Sequence, residues 1–358
     1  MQTTATTREQ CKATETQGSV RPSILTTHHK RFHPLWVGRA TLLPGWFEAY
    51  EKANVSFWRS LVWAIRLFRR SREFDAVVTG AEHCGMWFAM MQTLFRRSSQ
   101  RRPHVMIDFP WAARPGRWML WLKIWQMRIA APALDVIFAH ASPEEAERLT
   151  HALRVRPGLF VFVPFHHSFG HSLDEAAPAT GQGNYVFSGG NTARDYETLI
   201  AAVAGGSYPV VICTQQAKRW PPLANVKIEA VSQQRFYELM AQAAIVALPL
   251  MKDDIHPAGH TIVVNAMALG KPIVLAAPCE YRCYIEDGRT GLLVTPGDAV
   301  QLRAAIERLL ADPQFAAELG RNAKQDAARF TQEKFFTRVF AMVDGACEKR
   351  RAREGGRR

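Results

Sequence analysis

The chain has 358 residues, of which 47% are hydrophobic and 22% are charged, and its formal net charge is +13. The length favours two domains, and the apolar fraction excludes a chain too polar to form a packed core. The positive charge favours anionic partners, which could be phosphorylated ligands, an acidic membrane surface or nucleic acid.

The chain begins with a polar, threonine-rich segment, residues 1–21, which we predict to be disordered. It lacks the apolar run of a secretory signal, and no uninterrupted apolar stretch of 18 residues occurs, so no transmembrane helix is expected. The six cysteines form no framework, since Cys279 and Cys283 are the one closely spaced pair. This usage predicts a reducing, cytoplasmic location and no zinc site.

Strand-like and helix-like runs alternate through residues 22–165, which we interpret as the N-terminal domain. The predicted strands are residues 23–29, 74–80, 104–110, 134–140 and 159–165. The sequence Ser142-Pro143-Glu144-Glu145 is typical of a helix start. Strands that alternate with helices predict βαβ units around a parallel sheet.

A polar linker, residues 166–183, separates this half from a second α/β domain over residues 184–330. The strands predicted there are residues 185–190, 209–214, 226–231, 244–250, 272–277 and 291–296. A C-terminal helix over 331–347, expected to pack back on the N-terminal domain, precedes a basic tail over 348–358. The pattern predicts two doubly wound domains with a ligand site in the cleft between them.

Two segments of the second domain have the features of anion-binding turns. In "YVFSGGNTARDYETL" (185–199) a strand runs into Gly189 and Gly190, and Arg194 precedes a helix. Glycines admit a phosphate close to the backbone, and a helix N-terminus offers N–H donors and a positive dipole. The alternative for this segment alone is an ordinary tight turn.

The second segment, "LPLMKDDIHPAGHTIVVNAMALGKPIV" (248–274), has the same design. A strand leads into a polar loop with Lys252 and His256, and a helix begins near Gly259, His260 and Thr261. Two anion-binding turns at the carboxyl ends of strands in one domain suit a diphosphate.

Together these segments resemble the family-4 glycosyltransferases of the GT-B fold. The resemblance covers residues 185–330 and depends on four ordered segments: "FSGGNTARDYETLIAAV", "VSQQRFYELMAQAAIVALPL", "AGHTIVVNAMALGKPIVLA" and "YIEDGRTGLLVTPGDAVQLRAAIERLLADP". In the first half only "ALDVIFAHASPEEAERL" and "FVFVPF" are similar to the family.

The resemblance implies a GT-B architecture in which two Rossmann-like domains face a cleft. It implies transfer with retention of anomeric configuration from a UDP- or GDP-sugar, which acts as co-substrate, with no permanently bound cofactor and no metal. The donor would bind Gly189, Gly190, Arg194, Lys252, His256, Gly259, Thr261 and Asn265. The acceptor, a glycan or a polyprenyl-linked sugar of surface polysaccharide or glycolipid synthesis, would bind the N-terminal domain.

One departure from the family concerns two glutamates that members usually carry eight residues apart. Asn265 stands where the second, ribose-binding glutamate is expected, and Pro257 stands in place of the first. The Asn265 amide can hydrogen-bond ribose hydroxyls, although it could instead bond a neighbouring backbone group. The sugar-facing role is left to His260, His256 or an acid in Asp253-Asp254.

Family members often place a catalytic histidine after a strand of the acceptor domain. The nearest equivalents here are Asp108 and the pair Glu82-His83. A carboxylate at Asp108 could stabilise oxocarbenium-like charge, and its alternative is a turn residue before Pro110.

A basic and aromatic segment of the first half, residues 116–131, carries Trp118, Trp121 and Trp125 within about 60° on a helix, with basic residues beside them. It favours docking on an anionic membrane surface at the inner face of the plasma membrane, and the alternative is a core helix. No nucleic-acid module occurs, so we expect no nucleic acid partner. The missing glutamates leave open a non-catalytic GT-B protein that binds a glycan or a protein.

Overall fold

The computed structural model describes residues 21–27, 34–46, 57–80, 83–109, 116–169, 183–216, 220–252, 259–277 and 279–355. Most of the predicted N-terminal segment and most of the predicted linker lie outside these ranges.

Two parallel sheets organise the chain, each with six strands. The strands are β1 (Ile24–Thr26), β2 (Ala40–Leu42), β3 (Ala76–Thr79), β4 (His104–Met106), β5 (Val136–Ala139), β6 (Phe160–Phe162), β7 (Val186–Gly189), β8 (Val210–Cys213), β9 (Val226–Glu229), β10 (Ile245–Pro249), β11 (Ile273–Ala276) and β12 (Leu292–Val294). Each predicted strand overlaps an observed one. The sequence interpretation missed β2, whose three residues are too short to show a pattern.

Helices connect the strands and cover the sheets. They are α1 (Pro34–Val37), α2 (Phe57–Arg70), α3 (His83–Phe95), α4 (Arg117–Ala130), α5 (Pro143–Leu153), α6 (Tyr196–Val203), α7 (Gln233–Gln242), α8 (His260–Ala268), α9 (Ala299–Ala311), α10 (Pro313–Ala327) and α11 (Gln332–Gly355). In the described part of the chain, none of them has the length and apolar character needed to cross a membrane.

The N-terminal sheet has the order β2-β1-β3-β4-β5-β6 and buries both faces. One face packs against α2 to α5, and the opposite face packs against α1 and α11, where Phe336 and Phe340 contact the Trp36 ring. The last helix therefore returns from the end of the chain to the first domain. It also continues unbroken to Gly355, so residue 347 is not the helix end that the sequence suggested.

The C-terminal sheet has the order β12-β11-β10-β7-β8-β9. This is the doubly wound dinucleotide-fold order, with α7 and α8 on one face and α6 and α9 on the other. Its central strands β10 and β11 are buried throughout, as expected of parallel strands covered on both sides. The order reverses between β7 and β10, which is where open α/β sheets bind ligands.

Candidate functional site

The turn after β7 lies at this reversal point and contacts the carboxyl end of β10. The Asp195 N–H donates to the Pro249 carbonyl at 3.1 Å, and the Met251 N–H donates to the Ala193 carbonyl at 3.1 Å. Asp195 then caps α6 by accepting the Thr198 N–H at 3.1 Å. The segments predicted to form two anion-binding turns are therefore adjacent.

Gly189 and Gly190 are both required by the geometry of this turn. A Cβ at Gly189 would lie 2.4 Å from the Phe236 ring. Gly190 has a φ of +108°, and a Cβ there would lie 2.6 Å from a guanidinium nitrogen of Arg194. The backbone at Gly190 thus has a conformation that other residues rarely adopt, and the missing side chain leaves room for the arginine.

The Arg194 side chain is only 4% exposed and lies between the two glycine segments. Its Nε donates to the Gly189 carbonyl at 2.9 Å, and its Nη1 donates to the Thr192 carbonyl at 2.6 Å. A Cβ on Gly259 would come within 3.3 Å of the same guanidinium. Burial lowers the Arg194 pKa from its usual value, yet a guanidinium stays protonated at neutral pH. A positive charge is therefore held where the two turns meet.

Helix α8 begins beside this charge, at Gly259, whose φ is +120°. The first intrahelical bonds run from the Ile262 and Val263 N–H groups to the Gly259 carbonyl. The N–H groups just before them, including that of the half-buried Thr261, belong to the helix end that has no intrahelical acceptors and carries the positive dipole end. Lys252 is exposed at the end of β10. The predicted residues His256, Asp253, Asp254 and Pro257 lie outside the described residues.

Neighbouring side chains hold the turn after β7 in place. Asn191 accepts hydrogen bonds from Thr214 Oγ1 at 3.1 Å and from the Gln215 N–H at 2.7 Å. The Tyr196 hydroxyl donates to the Gly190 carbonyl at 2.7 Å, and burial raises the Tyr196 pKa to about 12, so the hydroxyl remains a donor. The sequence interpretation assigned no role to Asn191 or Tyr196.

The predicted catalytic residue His260 opens α8 and reaches the N-terminal domain. Its ring lies 5.3 Å from the His140 ring and 5.0 Å from the Phe165 ring, measured between centroids. His140 is fully buried just after β5, and its Nδ1 lies 2.7 Å from the Val163 carbonyl. Because a carbonyl only accepts, Nδ1 carries the proton in this bond. The sequence interpretation assigned no role to His140, although its place as the last residue of the predicted strand 134–140 was the available signal.

Tyr284 fastens the two domains beside this histidine pair. Its hydroxyl donates to the His140 carbonyl and accepts the Phe165 N–H at 2.8 Å. Burial raises the Tyr284 pKa well above its usual range, which keeps the hydroxyl protonated. No local pattern indicated Tyr284, because its partners lie more than a hundred residues away in sequence.

Asn265 has partners other than those expected of a ribose-binding residue. It is fully buried, its Oδ1 accepts the Ser168 N–H at 2.7 Å, and its Nδ2 lies 3.3 Å from Ser168 Oγ. The amide therefore joins α8 to the start of the interdomain segment. A ribose contact stays a prediction, and it would require this pair of hydrogen bonds to open.

The predicted acceptor-side residues lie at the carboxyl ends of β3 and β4. Asp108 is partly exposed, has a φ of +72°, and accepts the Phe109 N–H on its own Oδ1 at 2.7 Å. His83 opens α3, and burial and then the charge of Lys123 lower its pKa. Burial also lowers the Lys123 pKa to about 8. Glu82 lies outside the described residues.

In the described part of the chain, no group of three or more His, Cys, Asp or Glu side chains could hold a metal ion. The site that the described residues do form is a buried cation and a helix N-terminus on one side, facing histidines on the other.

The family model glycosyl transferases group 1 matches residues 200–326. D-inositol 3-phosphate glycosyltransferase 2 of Catenulispora acidiphila is 30% identical over 140 residues, which is 37% of this chain and 32% of that protein. D-inositol 3-phosphate glycosyltransferase of Nocardioides sp. is 30% identical over 130 residues, which is 36% of this chain and 24% of that protein. The matches thus span a third or less of these curated relatives.

Solved structures match over most of the chain. HepE from Anabaena, in complex with UDP, has a TM-score of 0.64 at 16% identity, covering 90% of this chain and 99% of HepE. Sucrose-phosphate synthase from Thermosynechococcus elongatus has a TM-score of 0.60 at 16% identity, covering 85% of this chain and 80% of that protein. At these identities the likeness establishes the fold, and the predicted two-domain GT-B architecture is confirmed.

Proposed function

We propose that this protein is a glycosyltransferase that uses a nucleoside-diphosphate sugar, since the glycosyl transferases group 1 model matches residues 200–326. The observation that carries the proposal is the buried Arg194 guanidinium, held where the Gly189-Gly190 turn meets the N-terminus of α8. A fixed cation and a helix dipole aimed at one point suit the diphosphate of such a donor.

In the proposed reaction these groups stabilise the negative charge that the leaving diphosphate gains as the sugar bond breaks. Gly189, Gly190, Gly259 and Thr261 supply close backbone approach, and the exposed Lys252 adds a second cation. His256 and Asn265 remain proposed donor contacts, the latter after its bonds to Ser168 open. UDP is the first nucleotide to test, since HepE was crystallised with UDP and with UDP-glucose, and GDP is the second.

The facing wall would bind the acceptor and the reacting sugar. His260 lies at the domain interface, where a ring nitrogen can contact a sugar hydroxyl, and the Asp108 carboxylate at the end of β4 would stabilise oxocarbenium-like charge. We infer retention of anomeric configuration, and an acceptor that is a glycan or a polyprenyl-linked sugar in surface polysaccharide or glycolipid synthesis. The positive charge supports a place at the inner face of the plasma membrane, whose lipids are anionic.

The test of donor binding is thermal stabilisation by a panel of UDP-, GDP-, dTDP- and ADP-sugars. Ligand at a hundredfold excess over Kd stabilises the folded state by about 2.7 kcal/mol. We expect one nucleotide to raise Tm, Arg194→Ala to abolish the shift, and Arg321→Ala, an exposed arginine on α10, to keep it. If none of the panel raises the Tm of the folded wild type, the donor site is not formed as proposed.

A second candidate is a GT-B protein that binds without transferring sugar, and the engagement of Asn265 with Ser168 favours it. The discriminating measurement is the release of nucleoside diphosphate from the nucleotide sugar in the presence of a polyprenyl-linked sugar. Under the transferase proposal Asp108→Asn lowers this turnover by about a hundredfold and leaves donor affinity nearly unchanged. Donor binding without any turnover by the wild type, across glycan and lipid-linked acceptors, would support the binding protein.

A further inference from the structure

Exposed apolar side chains concentrate on one helical layer of the N-terminal domain. Of the ten large hydrophobic side chains that are exposed among the described residues, seven belong to α2, α3 and α4. These seven are Val62, Leu94, Phe95, Trp118, Met119, Trp121 and Trp125. Clustered apolar exposure on a soluble domain marks an interaction surface, whereas scattered single residues do not.

Helix α4 carries the largest of these side chains. Trp118 is 71% exposed, Trp121 is 56% exposed and Trp125 is 47% exposed, and the rings of the first two stack at 5.2 Å. The opposite side of the helix contributes Met127 to the core. The helix therefore packs on the domain with one face and presents a row of indoles with the other. The predicted alternative, a core helix, accounts for the first face alone.

Positive charge lies beside the indoles. A cavity of about 300 Å³ is lined by Trp121 and Trp125 together with Arg117, Arg128 and Arg154, and none of the described residues in this lining is acidic. The charge continues into a neighbouring cavity of about 600 Å³, which shares Arg128 and Arg154 with the first and adds Arg156, Lys349 and Arg353. In that second cavity Asp135 is the one carboxylate of the described lining.

We propose that the outer face of α4, with Arg117, Arg128 and Arg154, is a docking surface for an anionic lipid membrane. Indole rings prefer the membrane–water interface because they combine a large apolar body with a polar N–H group. Lysine and arginine near such rings attract anionic headgroups. The net charge suggested a membrane contact, and this proposal names the surface that makes it. The proposal is argued from exposure and charge, so it does not depend on the transfer reaction.

The surface also has a defined orientation relative to the cleft. Helix α4 connects the carboxyl end of β4 to the start of β5, so it runs antiparallel to these strands. Its first turn, with Trp118, lies toward the cleft end of the domain, where Asp108 follows β4. A membrane on this face would meet the acceptor side of the cleft at its edge, which suits a lipid-linked acceptor.

The experiment is co-sedimentation of the full chain with phosphatidylcholine vesicles and with vesicles that contain about one third phosphatidylglycerol. We expect binding to the anionic vesicles to exceed binding to the neutral ones by tenfold or more. The variant Trp118→Ser/Trp121→Ser/Trp125→Ser should bind at least tenfold more weakly. The control Ile228→Ser/Val300→Ser removes two exposed apolar side chains of the C-terminal domain and should bind like the wild type.

A charge variant, Arg117→Ser/Arg128→Ser/Arg154→Ser, should lose the preference for anionic vesicles, and raised salt should have the same effect on the wild type. The proposal is overturned if the wild type binds neither vesicle, if it binds both equally, or if the tryptophan variant binds like its control. Displacement of the protein by duplex DNA, with full binding retained by the tryptophan variant, would identify a nucleic-acid surface instead.

Two checks distinguish a loss of membrane docking from a loss of folding or of donor binding. Each variant is tested for the Tm shift with the nucleotide sugar, which docking variants should retain. If the triple tryptophan variant fails to fold, Trp118→Ser alone, at the most exposed ring, should still weaken binding about threefold, and an unchanged affinity would contradict the proposal.

Discussion

The two walls of the cleft are built in different ways. The C-terminal wall is made of backbone, namely two glycines at positive φ and the start of α8, with one buried guanidinium between them. The N-terminal wall has a buried side chain, His140 just after β5, whose ring lies 5.3 Å from the His260 ring. In the described part of the chain, four of the five buried histidines, His104, His140, His166 and His167, precede the C-terminal domain, and His104 lies at the start of β4. Backbone geometry resists small changes of pH and sequence context, whereas buried titratable groups do not.

The largest effect is expected from Gly190→Ala, which tests the backbone-built wall. The new Cβ would lie 2.6 Å from the Arg194 guanidinium, so the arginine must move and lose its bond to the Gly189 carbonyl. The alanine would also have to adopt a φ of +108°, which residues with a Cβ rarely do. We expect nucleotide-sugar affinity to fall ten- to a hundredfold and the free energy of unfolding to fall by about 1–3 kcal/mol. Isothermal titration and urea unfolding measure the two.

Gly297→Ala is the matched control, because Gly297 also has a positive φ of +82° but has open space around a Cβ. It should lose stability of the same order and keep full affinity. Equal losses of affinity in both variants would show that backbone strain, and not the place of Arg194, limits binding.

The second effect concerns the contact between the walls. Tyr284→Phe removes the hydroxyl that bonds the His140 carbonyl and the Phe165 N–H. We expect a loss of about 2 kcal/mol in urea unfolding, since buried backbone groups would lose their partner. Tyr208→Phe removes a buried hydroxyl that makes no hydrogen bond with the described residues, and it should change stability by less than about 0.5 kcal/mol. Similar losses in both would mean that the Tyr284 hydroxyl does not join the domains.

The difference between the two walls also explains which residues of the site could be predicted from the sequence. Gly189, Gly190, Arg194 and Gly259 lie within short segments whose turn chemistry is local, so their place at the carboxyl ends of strands of one domain was predictable from the sequence. Tyr284, His140 and Ser168 become partners only after two domains pack, and no local pattern encodes that. The helix end predicted at residue 347 was wrong for a related reason, because the Arg350 guanidinium donates to the Ser99 and Arg101 carbonyls of the first domain.

The third effect is pH dependence, which should arise in the N-terminal domain. Burial lowers the His104 pKa to about 3, so this histidine stays neutral when folded but takes a proton below pH about 6.5 when unfolded. The unfolded state therefore binds more protons, and stability is lost as pH falls from 6.5 toward 3. One such group contributes a loss of about 1.4 kcal/mol between pH 7.5 and 5.5.

Urea unfolding of the wild type and of His104→Gln at these two pH values isolates this contribution. His104→Gln lowers stability at both, because it alters the contact with Thr79 Oγ1 at 2.9 Å, but its loss between the two values should be smaller by about 1.4 kcal/mol. An identical pH dependence in the two proteins would contradict this prediction. It would mean that His104 has the same pKa in the folded and the unfolded state.

The smallest effect is expected for Asn265→Ala, and it decides to which wall this residue belongs. If the Asn265 amide serves the interdomain bond to Ser168, its loss costs about 1 kcal/mol of stability, since the half-buried Ser168 can be hydrated. Nucleotide-sugar affinity should then change by less than threefold. If the amide instead reaches a ribose hydroxyl, affinity should fall by tenfold or more. Asn322→Ala, on α10 with a hydrogen bond to the Arg289 carbonyl at 3.1 Å, is the control for truncating a helical asparagine. A large loss of affinity confined to Asn265→Ala would move this residue from the interdomain contact to the donor site, and the wall built of backbone would then hold the ribose with a side chain.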